Sequence, residues 1–301
     1  MIIYMNNSGK LSPLNEKPFK LEKDIQKIFE SNLSTLMGLE LVKSEFSIKN
    51  KRIDTLAYDP QAKAFIIIEY KRDKNISVVD QGFTYLSLML ENKSDFIVEY
   101  NESLNKSLKR EDVDWSQTRV AFVSQSFTDN QIQATNFKDI AIELWEITQY
   151  ENNKVAINNI KKSTAAESIK PITQQNQVLK KVTDEIKVYT EEDHLKNASD
   201  LTAELYEKVK TAILNLADGI EVVPTKTYIA FKKGSNISDI EIQKKSLKIS
   251  INIKSGLLDD PKKLAEDVSN IGHRTNGDYR IQIDDDRKLE YIMSLIKQVI
   301  K

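Results

Sequence analysis

The chain has 301 residues, 40% of them hydrophobic and 30% charged, with a formal net charge of −1 and no cysteine. That length allows one large or two ordinary domains, each able to bury its own core. No apolar run approaches the roughly 20 residues a bilayer requires, and disulfides, thiol nucleophiles and cysteine metal sites are all excluded. The opening Met1-Ile2-Ile3-Tyr4-Met5-Asn6 has no basic segment leading into an apolar stretch, so the expectation is a cytoplasmic protein without a secretory signal.

The near-neutral balance gives no help to nucleic-acid binding, although the field over a cleft is local. Up to residue 150 there are 19 basic and 22 acidic residues, net −3; the remainder has 25 and 23, net +2. Phosphate contacts would therefore rely on clusters such as Lys71-Arg72-Asp73-Lys74, Lys109-Arg110, Lys232-Lys233 or Lys244-Lys245. Each reads more simply as solvated surface.

The first periodic segment, from about Phe19 to Leu36, carries Ile25, Ile28, Phe29, Leu33 and Leu36 at helical spacing. Three β-rich runs follow at Leu39 to Ile48, Arg52 to Tyr58 and Ala64 to Lys71, with Tyr58-Asp59-Pro60-Gln61 as the turn between the last two. A helix is expected over about Ser77 to Leu90. A strand at Arg119 to Val123, a helix near Asp129 to Asn136, and strands at Ile140 to Ile147 and Val155 to Ile160 complete this half. The order is that of an α/β mixed sheet flanked by helices, in a domain spanning 1–160.

Residues 161–188 weaken into Ser, Thr, Gln and Lys and read as a linker. Beyond it, 189–301 reads as a smaller α+β domain. Leu201, Leu205, Val209, Ile213 and Leu216 mark a helix ending at Asp218-Gly219. Strands are expected at Tyr228 to Phe231, Ile240 to Gln243, Leu247 to Ile253 and Tyr279 to Ile283, before a closing helix with Leu289, Ile292, Met293, Ile296 and Val299.

The chemistry concentrates in Arg52-Ile53-Asp54 and Ile66-Ile67-Ile68-Glu69-Tyr70-Lys71. Alternation puts Glu69 and Lys71 on one face of a strand, directly after a buried isoleucine run. If the Arg52 strand pairs with the Ala64 strand, Asp54 lies beside Glu69, and two carboxylates share a site with an ammonium. Such oxygens suit Mg²⁺, which takes one or two carboxylates and keeps waters. The ion can polarise a phosphodiester and lower the pKa of a bound water. Lys71 would hold that water and offset phosphate charge. The plain alternative is a salt bridge at a sheet edge.

These residues and their element order resemble the PD-(D/E)XK nuclease superfamily, in its RecB-like and NucS-like branches, over about residues 18–150. The resemblance implies a restriction-endonuclease-like α-β-β-β-α-β core, with Asp54 as the first acid, Glu69 as the second and Lys71 as the lysine. Ile53 stands where the motif is named for proline. It further implies a Mg²⁺- or Mn²⁺-dependent deoxyribonuclease, with Asp54, Glu69 and Tyr70 as the metal-holding residues and DNA as substrate, serving repair or defence against foreign DNA. The first helix of such nucleases often supplies another acid. Glu22 shares a face with Ile25, Phe29 and Leu33, whereas Glu30 lies with Gln26, Lys27 and Ser34, so Glu22 is the candidate. Gln81-Gly82-Phe83-Thr84-Tyr85 has the Gln-x-x-x-Tyr form of RecB-type nucleases, and i, i+4 spacing lets Gln81 and Tyr85 reach the same edge. Ordinary packing of both is the alternative. The rival to an enzyme is a nuclease-like fold kept as a nucleic-acid-binding or assembly module.

The C-terminal half resembles an uncharacterised domain found fused to such nucleases and sometimes labelled transport-related. The resemblance rests on Lys226-Thr227-Tyr228-Ile229-Ala230-Phe231, Asp267-Val268-Ser269-Asn270-Ile271-Gly272-His273 and Asn276-Gly277-Asp278-Tyr279. It licenses no activity. His273 reads either as a ligand-binding residue or as a structural hydrogen-bonding one. The only histidines, His194 and His273, lie in this half, which argues against histidine catalysis in the first domain. Oligomeric state stays open, with a homodimer among the assemblies allowed.

Overall fold

The computed structural model describes residues 3–71, 77–163, 165–271 and 275–300. Two units emerge, Met1–Val188 and Tyr189–Lys301. No helix among the described residues is long and apolar enough to cross a membrane.

The first unit opens with a largely exposed hairpin, β1 (Tyr4–Asn7) and β2 (Lys10–Pro13), which has no counterpart among the elements expected from sequence. The first expected helix is two, α1 (Glu22–Glu30) and α2 (Leu33–Met37), separated at Ser31–Asn32. Next come β3 (Glu40–Ile48), β4 (Lys51–Asp59), β5 (Ala64–Lys71), α3 (Val78–Glu91), α4 (Lys93–Leu104), β6 (Arg119–Ser124), α5 (Asp129–Thr135), β7 (Ile142–Gln149) and β8 (Val155–Ile160). The sheet runs in the order β3-β4-β5-β6-β7-β8. Pairing is antiparallel from β3 to β5, parallel from β5 to β7 and antiparallel again to β8.

β5 is the centre of this sheet and is buried on both faces. Phe65 and Ile67 join the core beneath α3 and α4, whereas Ile66, Ile68 and Tyr70 join the core beneath α1. A strand covered on both sides needs a continuous apolar run, which is what Phe65–Ile68 supplies. α3 starts where Ser77 Oγ accepts the Asp80 N–H, the usual capping bond of a serine at this position. It lies close on the sheet at Gly82, where a Cβ would come within 2.4 Å of Ile142 Cδ1.

Residues 161–188 differ from the expected linker. α6 (Lys170–Thr173) and α7 (Gln177–Glu185) fold onto the first unit, with Ile169, Val182 and Ile186 buried in its larger core. Asp139 fastens the start of the segment by accepting the Ile169 N–H at 2.7 Å. The polar composition is that of a surface layer, with Ile172 and Val178 exposed and Ile169, Val182 and Ile186 turned inward.

The second unit holds α8 (Glu191–Leu195), α9 (Asp200–Leu214), β9 (Glu221–Pro224), β10 (Ile229–Lys233), β11 (Ser235–Ile242), β12 (Leu247–Ile251), β13 (Glu266–Asp267), β14 (Tyr279–Ile283) and α10 (Leu289–Lys297). Its antiparallel sheet has the order β13-β14-β12-β11-β10-β9. One face packs Phe231, Ile240, Ile249 and Ile281 against Val209 and Ile213 of α9 and Ile292 and Ile296 of α10.

The inward residues of 161–188 set the limit of a stable fragment. Burying a large aliphatic side chain contributes about 1.5–3 kcal/mol, so ending the chain at residue 160 removes several kcal/mol that ending it at 188 retains. Thermal melts of the two fragments should show one cooperative transition for 1–188, and a much lower or uncooperative one for 1–160. Equal melting temperatures would mean the segment contributes nothing.

Candidate active site

The site forms where the β4–β5 ladder stops. Antiparallel pairing runs from Asp59↔Ala64 to Thr55↔Ile68 and no further. β5 remains paired with β6 out to Lys71↔Ser124, so β4 is the strand that departs. On its other side, β4 pairs Thr55 with Ser44 and Ile53 with Phe46, and the intervening Glu45 has a left-handed φ of 55°. Asp54 therefore sits at an interruption on both sides.

Side chains take over where the ladder ends. The Asp54 N–H donates to Glu69 Oε1 at 3.3 Å, and the Tyr70 N–H donates to Asp54 Oδ2 at 3.0 Å. Buried backbone N–H groups need acceptors, and here each is met by a carboxylate of the candidate site. The two acids are thus fixed to one another's strands. Lys71 Nζ lies 3.1 Å from Glu69 Oε2, on the face that alternation from Ile67 assigns to both.

α3 closes the site from above. Gln81 Nε2 donates to Glu69 Oε2 at 3.3 Å and to the Tyr85 hydroxyl at 3.2 Å. Asp54, Glu69, Lys71, Gln81 and Tyr85 therefore meet in one place. Lys51, Lys71, Ser77, Asp80, Gln81, Thr84 and Tyr85 line an open cleft there. Tyr70 points the other way: its ring is 1% exposed, and Thr55 Oγ1 lies 3.3 Å from its hydroxyl. Only its backbone is turned toward the acids, so its backbone carbonyl is the atom it has for a cation.

The first helix corrects the expectation for its acids. Glu22 is exposed in the first turn of α1, near enough for its charge to push the Asp54 pKa up. The face against the sheet instead presents Gln26, which is 6% exposed, and Glu30, whose Oε1 accepts the Thr55 hydroxyl at 2.6 Å. Helical spacing assigns Gln26 and Glu30 to the outside. Hydrogen-bonding groups on the interrupted strand draw them in, because a buried polar side chain is tolerated where it finds partners.

Burial is the first reason both site carboxyls are held above their ordinary values. For Glu69 the neighbouring Asp54 charge adds to it while Lys71 opposes it; for Asp54 the Tyr70 N–H and Lys71 oppose it. Burial also raises the Tyr85 hydroxyl, which stays protonated. Gln81 Oε1 is buried with no hydrogen-bond partner among the described residues. The candidate oxygens for a cation are those of Asp54 and Glu69, which already accept from the Tyr70 N–H and from the Asp54 N–H, Lys71 and Gln81 respectively. Among the described residues there is no group of three or more His, Cys, Asp or Glu that could hold a metal. A buried and a half-buried carboxylate in one another's field, with an acceptor left over, are a donor set suited to a hard cation that completes its shell with water.

His273 and the cluster Arg72-Asp73-Lys74 lie outside the described residues. In the second unit, the sequence reading missed Asp239. It is fully buried, with Asn236 Nδ2 donating to Oδ1 at 2.6 Å and the Asn276 N–H donating to Oδ2 at 3.2 Å. Its alternation with Ser238 and Ile240 looks like an outward strand residue, so no local signal marks it.

Comparison with known proteins adds two kinds of likeness. Residues 191–299 match a family described as a domain of unknown function, DUF5655, in keeping with the uncharacterised domain expected there. A Haemophilus influenzae protein described as uncharacterized is 58% identical over 301 residues, covering 100% of both chains. Among solved structures, a repair endonuclease from Pyrococcus abyssi aligns over 39% of this chain and 43% of its own, at 16% identity and a TM-score of 0.22. An EndoMS–dsDNA2 complex aligns over 38% and 41%, at 16% and 0.26. Pyrococcus furiosus SfsA in complex with Ca2+ aligns over 52% and 78%, at 13% and 0.25. The matches span less than half of the first two of those chains, and scores this low carry no argument about activity.

Two raised carboxyls give a signed pH dependence. The folded chain holds these protons more tightly than the unfolded one. In chelator, that stabilisation is complete below the ordinary carboxyl range and is lost as pH rises through the folded values. Asp54→Asn keeps an acceptor for the Tyr70 N–H and removes the charge. It should raise the melting temperature at neutral pH and flatten the pH slope, with about 2–4 °C for each kcal/mol relieved in a unit of this size. A lower melting temperature at neutral pH would show that the Asp54 charge stabilises the fold.

Proposed function

This chain belongs to one family with the Haemophilus influenzae protein, and we propose that it hydrolyses phosphodiester bonds in DNA, using Mg²⁺ or Mn²⁺ held by Asp54 and Glu69. The observation that carries this reading is the convergence of Asp54, Glu69 and Lys71 at the end of the β4–β5 ladder, with Glu69 also held by Gln81. The order of these residues, on a strand and the one beside it, is that of the PD-(D/E)XK nucleases, the class whose resemblance the sequence carries.

Asp54, Glu69 and the Tyr70 carbonyl would hold the ion, which supplies Lewis-acid polarisation of a phosphate and a more acidic bound water. The remaining work falls to the chain's own groups. Lys71 presents Nζ beside Glu69, where it positions the attacking water and answers charge developing on the phosphate. Gln81 holds Glu69 in place and ties it to Tyr85, whose protonated hydroxyl is a donor toward the substrate. Glu22, exposed in the first turn of α1, adds negative charge near Asp54 and strengthens the pull on a cation. The second unit selects substrate or mediates assembly.

One observation favours the non-enzymatic rival. Glu69 is 2% exposed and already accepts from Lys71 and Gln81, as a polar centre kept for binding alone would. The two readings separate in one assay. The purified chain is incubated with linear, circular, single-stranded and branched DNA, and with RNA, in Mg²⁺ or Mn²⁺. Wild type should cleave DNA. Asp54→Asn and Glu69→Gln should lose turnover and Mn²⁺ affinity together. Lys71→Met should keep Mn²⁺ affinity and lose about 10²–10³ in turnover, the cost typical of removing one transition-state donor. Equal cleavage by wild type and Glu69→Gln would end the catalytic assignment. DNA binding without cleavage in any metal would leave the binding module.

A further inference from the structure

Resting on the reading of Asp54 as a cation-holding carboxylate, we propose that Gln26 is its positioning residue: the α1 side-chain amide fixes the Asp54 backbone where both neighbouring strands release it. Three groups of Asp54 need holding. Its N–H is taken by Glu69 and its carboxylate by the Tyr70 N–H, which leaves the carbonyl. Gln26 Nε2 donates to that carbonyl at 2.9 Å.

The surroundings of Gln26 aim its amide there. Nε2 also lies 3.0 Å from Glu30 Oε1 and 3.2 Å from Ser44 Oγ. An amide nitrogen has two N–H groups, and the two shortest contacts are the Asp54 carbonyl and Glu30. Glu30 is itself anchored by the Thr55 hydroxyl, on the residue after Asp54. The amide is thus held at two points of the same strand segment. Packing alone does not call for glutamine here: Ile25 and Phe29 fill the apolar part of this helix face, and an unbonded buried amide would be costly.

The consequence is geometric. Without Gln26, the Asp54 carbonyl has no ladder partner to keep the residue in place, and the carboxylate moves with the backbone. Groups that orient metal ligands in this way typically carry about 10- to 100-fold in metal affinity or activity.

The test compares intact wild type, Gln26→Met and Ser44→Ala. Gln26→Met keeps the length of the side chain and removes the donor, whereas Ser44→Ala removes another partner of the same amide and leaves the Asp54 bond. Mn²⁺ affinity is measured by calorimetry, alongside melting temperature, kcat and KM for DNA. Gln26→Met should lose about 10- to 100-fold in both Mn²⁺ affinity and kcat, with KM within about twofold of wild type. Ser44→Ala should change neither. If Gln26→Met does not fold, Gln26→Asn, whose amide is one methylene too short to reach, should give the same losses. A folded variant that binds Mn²⁺ as wild type does overturns the inference, whether or not its melting temperature falls. Wild type that neither binds Mn²⁺ nor cleaves DNA overturns the nuclease reading itself, a result seen before any variant is compared.

Discussion

A β-sheet satisfies its backbone by pairing, and at Asp54 that pairing is withdrawn on both sides. Glu45 adopts a left-handed backbone and drops out of the β3–β4 pairing on one flank, and the β4–β5 ladder has ended on the other. The backbone groups left over cannot face an apolar core unsatisfied. Asp54, Glu69 and Gln26 answer them with side-chain oxygens and an amide. The same bonds that repair the sheet therefore fix two acids at one point, and the site's geometry follows from how the strand is released.

Placing Glu69 at the end of the most buried strand, beside Asp54 of β4, has an electrostatic consequence. Glu69 follows four apolar residues sealed on both faces, so it is desolvated before any ligand arrives. Lys71 compensates part of its charge, Gln81 donates a hydrogen bond to it, and the Asp54 charge works against its ionisation. A divalent cation would relieve this strain directly, and a buried ion pair alone would not need the second acid. Gly82 lets α3 lie close enough for Gln81 and Tyr85 to close the arrangement from the other side.

Much of this was legible in the sequence because it rests on local pattern. The isoleucine run before Glu69 announced a doubly covered strand, and two-residue alternation put Glu69 and Lys71 on one face. The i, i+4 spacing of Gln81 and Tyr85 likewise described one helix edge. What escaped depends on tertiary context. Gln26 and Glu30 lie on what hydropathy marks as the outer face of α1; only an interrupted strand beside them makes that face an inner one. The segment 161–188 is polar in composition, yet Leu179, Val182 and Ile186 keep helical spacing, a signal outweighed by the surrounding Ser, Thr and Gln. The helix over Lys93–Leu104 was missed although Phe96, Ile97 and Tyr100 share one face, and Asp239 carries no local mark at all.

The central claim is that Asp54 and Glu69 form a cation site, and paramagnetic broadening by Mn²⁺ tests it residue by residue without reference to turnover. Substoichiometric Mn²⁺ added to the isotopically labelled chain should broaden the amide resonances of Asp54, Glu69, Tyr70 and Lys71 first, with Gln81 and Tyr85 next. Broadening centred anywhere else, or none as Mn²⁺ reaches saturating levels, would contradict the claim.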